Sequence, residues 1–320
     1  MALDGHRLSL ARIEAALDVI DPVFLGTPQY ECEALGEALG VRVGLKVETA
    51  NPIRSFKGRG ASLLVAGADP ERPLACASAG NFGQAVAYAC RSRGLPVTIH
   101  ASVNANPLKV ARMRALGAEV VLEGEDFDAA KEAGKRAAAR SGARFVEDSR
   151  DPEPSEGAGT MALEWLRDPE PLAAVAVPLG NGALLAGVAR VLKERSPATR
   201  VVAVQAVGAP AMTESLRTGT TVVHDRVDTI ADGIGVRVPV PEALADLRGL
   251  VDETLLVDDA TIVRAMRLVH RHAGLVAEPS GAVGVAALLA HPERFRDGLV
   301  GTVVCGSNLT PEQMTAWLAD

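Results

Sequence analysis

The chain is poor in aromatic rings and in cysteines, and neither set forms a pattern. Six Phe, two Trp and two Tyr are spread over 320 residues, too few for a surface that stacks nucleic-acid bases. A net charge of −7 argues in the same direction, because a protein that neutralises a phosphate backbone needs an excess of cations. Cys32, Cys76, Cys90 and Cys305 show no C-x-x-C pair and no framework spacing, so reduced thiols in a cytoplasmic protein are expected. No apolar run approaches the ~20 residues that span a bilayer, and no basic, apolar leader opens the chain. The six histidines offer no metal constellation. His270 and His272 are two apart and fall on different faces of a helix. A G-x-S-x-G elbow for a hydrolase is also missing.

What remains is ordinary globular material, 48% hydrophobic and 23% charged, in a chain long enough for one large or two closely packed domains. From about residue 40, short Val- and Ala-rich runs alternate with helical patterns. "VRVGLKVET" precedes "KGRGASLLVAGA", "LACASAG" precedes "NFGQAVAYACRSRG", and "LAAVAVPLG" precedes "GALLAGVARVLKER". Buried strands separated by helices of ~10–15 residues predict parallel sheets of βαβ units. "HRLSLARIEAALDVI" reads as an N-terminal helix docked on the body. Two segments break the rhythm. "DSRDPEPSEGAGT" (148–160) reads as a crossover between domains, and "TTVVHDRVDTIADGIGVRVPVPEAL" (220–244) as a long loop that serves function or oligomer contacts.

Several turns could carry chemistry. In "ASAGNFGQA" a strand ends, and Ser78, Gly80, Asn81 and Gly83 crowd the start of a helix, where free N–H groups favour an anion. "VPLGNGALLAG" repeats the device with Gly180, Asn181 and Gly182. Neither a Walker sequence nor a dinucleotide fingerprint fits it, since Leu185 stands where the third glycine belongs. "AEPSGA" places Glu278 before Pro279 at a helix start, and "VVCGSN" closes a strand at Cys305. Each turn taken alone is equally a plain cap. Arg54, Lys57 and Arg59 fall together in "NPIRSFKGRGA", where Lys57 taken alone reads as a surface charge.

The order "SFKGRGA", "SAGNFGQA", "EGAGT", "PLGNGALLAG", "TIADGIGV", "EPSGA", "CGSN" resembles the serine/threonine dehydratases (ammonia-lyases) of the tryptophan-synthase-like, fold type II pyridoxal phosphate enzymes, from about Thr27 to Asn308. The resemblance implies two open, twisted, mainly parallel-sheet α/β domains with flanking helices and the cofactor in the cleft between them. A small domain over 69–149 would be set within a large one formed by 1–68 and 150–320. Lys57 would form the Schiff base with the cofactor and act as base on the substrate Cα–H. Phe56, Asn81, Gly233, Glu278 and Cys305 would contact the cofactor, Asn81 at the 3′-oxygen and Cys305 at the ring nitrogen. Gly180, Asn181, Gly182, Ala183 and Leu184 would cradle the phosphate. Ser55, Ser78, Ala79, Gly80 and Phe82 would bind the substrate. Desolvation by Phe56 and neighbouring cations would make Lys57 a better nucleophile, while a neutral Cys305 would favour elimination over transamination.

The expected reaction removes the β-hydroxyl of L-threonine, L-serine or a related hydroxy amino acid, yielding a 2-oxo acid and ammonia. The alternatives are a β-replacement synthase on the same fold and a cofactor-binding protein without turnover. Family racemases carry a second serine where this chain has Ala79, so little racemisation is expected. Gln205 and Ala211 stand where metal-stimulated relatives have acids, so no metal site is expected. Asp320 ends the sequence without a regulatory extension, so control by an appended domain is not expected either. The resemblance implies a small amino-acid substrate, a homodimer and a cytoplasmic setting, with no nucleic acid or membrane partner.

Overall fold

The computed structural model describes residues 5–319. The chain opens with helix α1 (Leu10–Ala16), strand β1 (Gln29–Glu31), α2 (Glu33–Leu39), β2 (Val43–Val47) and α3 (Lys57–Ala66). A run of βα units follows: β3 (Leu74–Ala77), α4 (Asn81–Arg93), β4 (Val97–Ala101), α5 (Pro107–Ala115), β5 (Glu119–Leu122), α6 (Phe127–Ser141) and β6 (Arg144–Val146). Next come α7 (Glu153–Trp165), β7 (Ala174–Pro178), α8 (Ala183–Arg195), β8 (Arg200–Ala206), α9 (Ala211–Thr218) and α10 (Pro241–Leu247). The chain finishes with β9 (Glu253–Val257), α11 (Asp259–Ala273), α12 (Pro279–Ala290), β10 (Val300–Val304) and α13 (Pro311–Leu318).

The strands form two open sheets. One has six strands in the order β1-β2-β10-β7-β8-β9, the other four in the order β5-β4-β3-β6. Every pairing is parallel except β1 with β2. β7 shows why a continuous apolar run suits this fold. All five of its residues are buried; Ala174 and Ala176 enter one core with α11 and α12, while Val175 and Val177 enter the other with α7 and α8. A strand covered by helices on both faces has no polar side to alternate with.

The segment 148–160 departs from the reading as a plain crossover, because from Glu153 onward it is helix α7. Pro152 and Pro154 lie at the cap and in the first turn, where a missing N–H costs no intrahelical bond. Its glycines let three helices touch at backbone distance. A Cβ on Gly157 would lie 2.5 Å from Cα of Gly60 on α3, and one on Gly187 of α8 would lie 1.9 Å from the carbonyl oxygen of Ser155. By contrast, 220–244 does run largely as loop, with one 3-10 turn at Asp232–Ile234 before α10. Helix α1 is capped by Ser9 and buries Ile13 and Ala16. No helix among the described residues is long and apolar enough to cross a membrane.

Candidate active site

In the six-stranded sheet the chain order reverses beside β10, and ligands of open α/β sheets collect at the carboxyl ends of strands near such a point. A cavity of about 270 Å³ is lined there by residues that leave β3 (Ser78), β6 (Asp148), β7 (Gly180) and β10 (Cys305).

Lys57 is the first residue of α3 and lines this cavity. The loop before it is stitched to the segment after β10: Phe56 N–H donates to the Cys305 carbonyl, and Ser307 N–H to that of Arg54, both at 3.0 Å. That pairing brings Lys57 and Cys305 to one wall. Arg54 adopts a φ of 52° in the turn, and the Asn51 side chain braces the same turn by donating to the Glu48 and Ser55 carbonyls at 2.8 and 3.1 Å. Lys57 Nζ lies 4.6 Å from the centre of the Phe56 ring and 5.9 Å from that of Phe82. The apolar neighbours expected of it are present. Its charged partner is the Asp148 carboxylate, at 2.6 Å.

Arg59 turns away into the protein. It is wholly buried and donates to Glu48, Glu164, Thr160 and Thr27. Lys46 completes a buried group of two cations and two carboxylates. This accounts for an arginine whose sequence context assigns it no role.

The α4 turn is built around Ser78, whose Oγ accepts from Gly80 N–H at 3.1 Å and Gly83 N–H at 2.9 Å. The hydroxyl therefore holds the turn in shape, and its own proton stays available to a ligand. The N–H groups of the first turn lack intrahelical partners, and Ala79, Gly80, Asn81 and Phe82 all line the cavity. Asn81 is fixed on both sides of its amide: Nδ2 donates to Glu278 at 2.7 Å, and Oδ1 accepts from Asn308 Nδ2 at 2.8 Å. Arg112 in turn donates to Asn308 Oδ1 at 2.7 Å.

Glu278 is the N-cap of α12 and is buried. Desolvation, and after it the charge of Asp232, pushes its carboxyl above the usual range; Lys109 and the hydrogen bonds from Asn308 and Asn81 oppose this. Gly306 leaves room for it, since a Cβ there would sit 2.3 Å from Glu278 Oε1. Burial likewise pushes the Cys305 thiol well up. It donates to the Ser280 carbonyl at 3.6 Å and presents a neutral group to the cavity.

On the opposite side, Gly182 caps α8 with φ of +100°, a conformation that favours glycine. A side chain on Gly180 would be crowded, as its Cβ would lie 3.0 Å from the Gly233 carbonyl oxygen. The Gly180–Leu184 turn thus brings bare backbone and a helix N-terminus to the cavity, as an anion requires. Every residue expected at the site lines it except Ser55. Ser55 is buried behind the wall and pairs with Gly306, and its hydroxyl has no hydrogen-bond partner. Lys109, Phe127, Asp148 and Asp232 also line it and escaped the sequence reading, and Ser280, from the "AEPSGA" turn, lines it too. Lys109 and Asp232 form an ion pair with each other.

Residues 20–306 match a family described as pyridoxal-phosphate dependent enzyme. The chain belongs to that family. Pyridoxal phosphate is therefore its cofactor, and the residues present suit it: a lysine for the aldehyde and a glycine cradle at a helix N-terminus for the phosphate. The Ser280 hydroxyl beside Cys305 is buried without a hydrogen-bond partner. This pyridoxal phosphate enzyme is 36% identical over 305 residues to the L-threonine ammonia-lyase of Thermotoga maritima, covering 94% of this chain and 76% of that protein. It is 36% identical over 277 residues to the L-threonine ammonia-lyase of Geobacter sulfurreducens, covering 85% of this chain and 69% of that one. Among solved structures, the processed form of threonine deaminase isoform 2 from Solanum lycopersicum superposes with a TM-score of 0.88 at 30% identity, covering 96% of this chain and 88% of that one. Maize serine racemase superposes with a TM-score of 0.90 at 27% identity, covering 96% of each chain.

Proposed function

We propose that this pyridoxal phosphate enzyme eliminates the β-hydroxyl of L-threonine and L-serine, releasing a 2-oxo acid and ammonia. The observation that carries the reading is the sharing of one cavity by Lys57 and two helix N-termini, those of α4 and α8. Two anion sites flanking one amine suit an amino acid on one side and a phosphate-bearing cofactor on the other.

In this reading Gly180, Asn181, Gly182, Ala183 and Leu184 hold the cofactor phosphate. Asn81, whose amide keeps one N–H beyond that given to Glu278, would hold the pyridoxal oxygen, and Cys305 would stand at the ring nitrogen. Phe56, Gly233 and Glu278 complete the cofactor's surroundings. When bound, pyridoxal phosphate supplies an electron sink for the pair left at the substrate Cα. The backbone of Ala79, Gly80 and Phe82, with the Ser78 hydroxyl, holds the substrate carboxylate. Lys57 anchors the cofactor and, once freed by the substrate amine, takes the Cα proton on Nζ. Ala79 offers no proton to the opposite face, which supports elimination without appreciable racemisation.

The 69–149 segment, which contains all four strands of the smaller sheet, serves as the small domain in this reading, with the rest of the chain as the large one. A homodimer working in the cytoplasm completes it, and light scattering tests the assembly. Incubation with L-threonine or L-serine should yield 2-oxo acid and ammonia in equal amounts. Borohydride reduction and peptide mapping should fix the cofactor on Lys57, and Lys57→Ala should abolish turnover. Product formed only when a thiol or amine is added would instead mark a β-replacement enzyme.

A further inference from the structure

The cavity wall carries three carboxylates, Asp148, Asp232 and Glu278, against two ammonium groups, Lys57 and Lys109. Asp232 is paired with Lys109. Glu278 spends one oxygen on Asn81 and the other on the Asn308 N–H. Asp148 pairs through Oδ2 with Lys57, while its Oδ1 is shielded from solvent and accepts from no protein donor. The inference rests on the function proposed above, in which Lys57 Nζ is first taken up by the cofactor and then, freed by the substrate, is a neutral amine when it acts as base. Asp148 then becomes the carboxylate of this wall with neither a cation nor a hydrogen-bond donor of its own among the described residues.

Its position is well defined. It lies two residues beyond β6, in a turn where the N–H groups of Arg150 and Asp151 both donate to the Glu147 carbonyl, at 3.3 and 3.1 Å. The next residue, Ser149, is buried with φ of 69°, a region in which non-glycine residues are uncommon. Arg7 donates to the Ser149 carbonyl at 3.1 Å and holds the turn from outside.

We propose that Asp148 determines which side chains the site accepts. Its carboxylate takes a hydrogen bond from a donor on the substrate Cβ, hydroxyl or ammonium, and turns away substrates whose side chain ends in a carboxylate. The distances support this. A base works within roughly 3 Å of the atom it deprotonates, so the reacting Cα lies beside Nζ, which is itself 2.6 Å from Oδ2. A group one bond beyond Cβ reaches the same carboxylate. Phe82, Phe127, Ile234 and Val236 add apolar surfaces suited to a methyl group. Like charges facing each other in such a site are a strong device for rejecting a competitor.

The test compares the holoenzyme with Asp148→Asn, which keeps the shape, and with Asp148→Ser, in case Asn misfolds. Binding of two amino acids that carry no β-hydroxyl, L-aspartate and L-2-aminobutyrate, is read from the cofactor absorbance. Turnover of L-threonine and L-threo-3-hydroxyaspartate is measured beside it. The wild type should bind L-aspartate about 100-fold more weakly than L-2-aminobutyrate, and the variants should narrow that gap to within about 10-fold. The kcat/KM preference for threonine over hydroxyaspartate should shrink in parallel. Borohydride trapping on the same preparations separates the two levels of inference. Cofactor fixed at Lys57 with an unchanged aspartate ratio overturns the role of Asp148 alone. Cofactor fixed elsewhere overturns the proposed function and the charge argument with it.

Discussion

Arg59 and Glu164 are joined by a two-pronged contact between α3 and α7, Nη1 to Oε1 at 2.8 Å and Nη2 to Oε2 at 2.9 Å, with Arg59 fully enclosed. Glu48 receives the rest of the guanidinium, at 2.8 Å from both Nε and Nη2. Removing one member strands the others in a dry interior. Glu164→Ala leaves two buried cations facing one carboxylate and should cost about 3–5 kcal/mol, read from urea unfolding of wild type and variant. An effect under about 1 kcal/mol would mean that water reaches the group.

The same carboxylate predicts an acid limb. Burial pushes the Glu164 carboxyl up, but the hydrogen bonds and charge of Arg59, then those of Lys46, outweigh it and bring it down to about 2. A carboxyl depressed on folding stabilises the native state above its unfolded value near ~4.3. That stabilisation is lost as pH falls through about 2. Urea midpoints of the wild type should therefore decline steeply from about pH 5 to 2, and those of Glu164→Gln, lower at neutral pH, should decline less.

Helix contact at Gly187 gives a third prediction. An added methyl would meet the Ser155 carbonyl at 1.9 Å, and backbone cannot move aside as a side chain can. Gly187→Ala should destabilise by about 1–3 kcal/mol or more through overpacking. Gly44 on β2 is the control, since its added Cβ would meet the Leu299 side chain at 3.7 Å, an ordinary contact. Thermal melting of the pair should show a large drop for the first and a small change for the second.

Two ion pairs tie the 220–244 loop to the helices of the four-stranded sheet: Lys109 on α5 with Asp232, and Asp128 on α6 with Arg237. Partly exposed pairs contribute only about 0–1 kcal/mol each, so global stability should hardly change when they are removed. Local opening should respond more, because the segment has little regular structure to hold it. The double variant Lys109→Met, Arg237→Met should be cleaved several-fold faster within this loop under limited proteolysis, and raised salt should speed cleavage of the wild type.

Strands such as β7 and β10 were legible because burial on both faces leaves an unbroken Val/Ala run, and the cavity turns only through their order along the chain, since each alone is equally a plain cap. β1 and β6, three residues each, are too short to carry a period. Asp148 was hidden for another reason: it is one acid among many polar residues, and only the parallel alignment of β6 with β3 carries it to Lys57. Arg59 shows the same limit. Its partners lie 11 and 105 residues away, and no local pattern announces a guanidinium that helices will enclose. Ser55 shows a related limit: Phe56 and Lys57, just after it in sequence, line the cavity, while Ser55 itself is buried and does not.

The hydrogen bonds at Asn81 have a consequence for motion. One amide joins α4, which belongs with the four-stranded sheet, to Glu278 at the start of α12 and to Asn308 beyond β10, which belong with the six-stranded one. Any hinge that parts the two sheets on this side must break both bonds together and leave the Glu278 carboxyl with a single donor. Opening on this side therefore carries the cost of both bonds at once, and the residue that the proposed function sets against the cofactor is also one of those that tie the two sheets together.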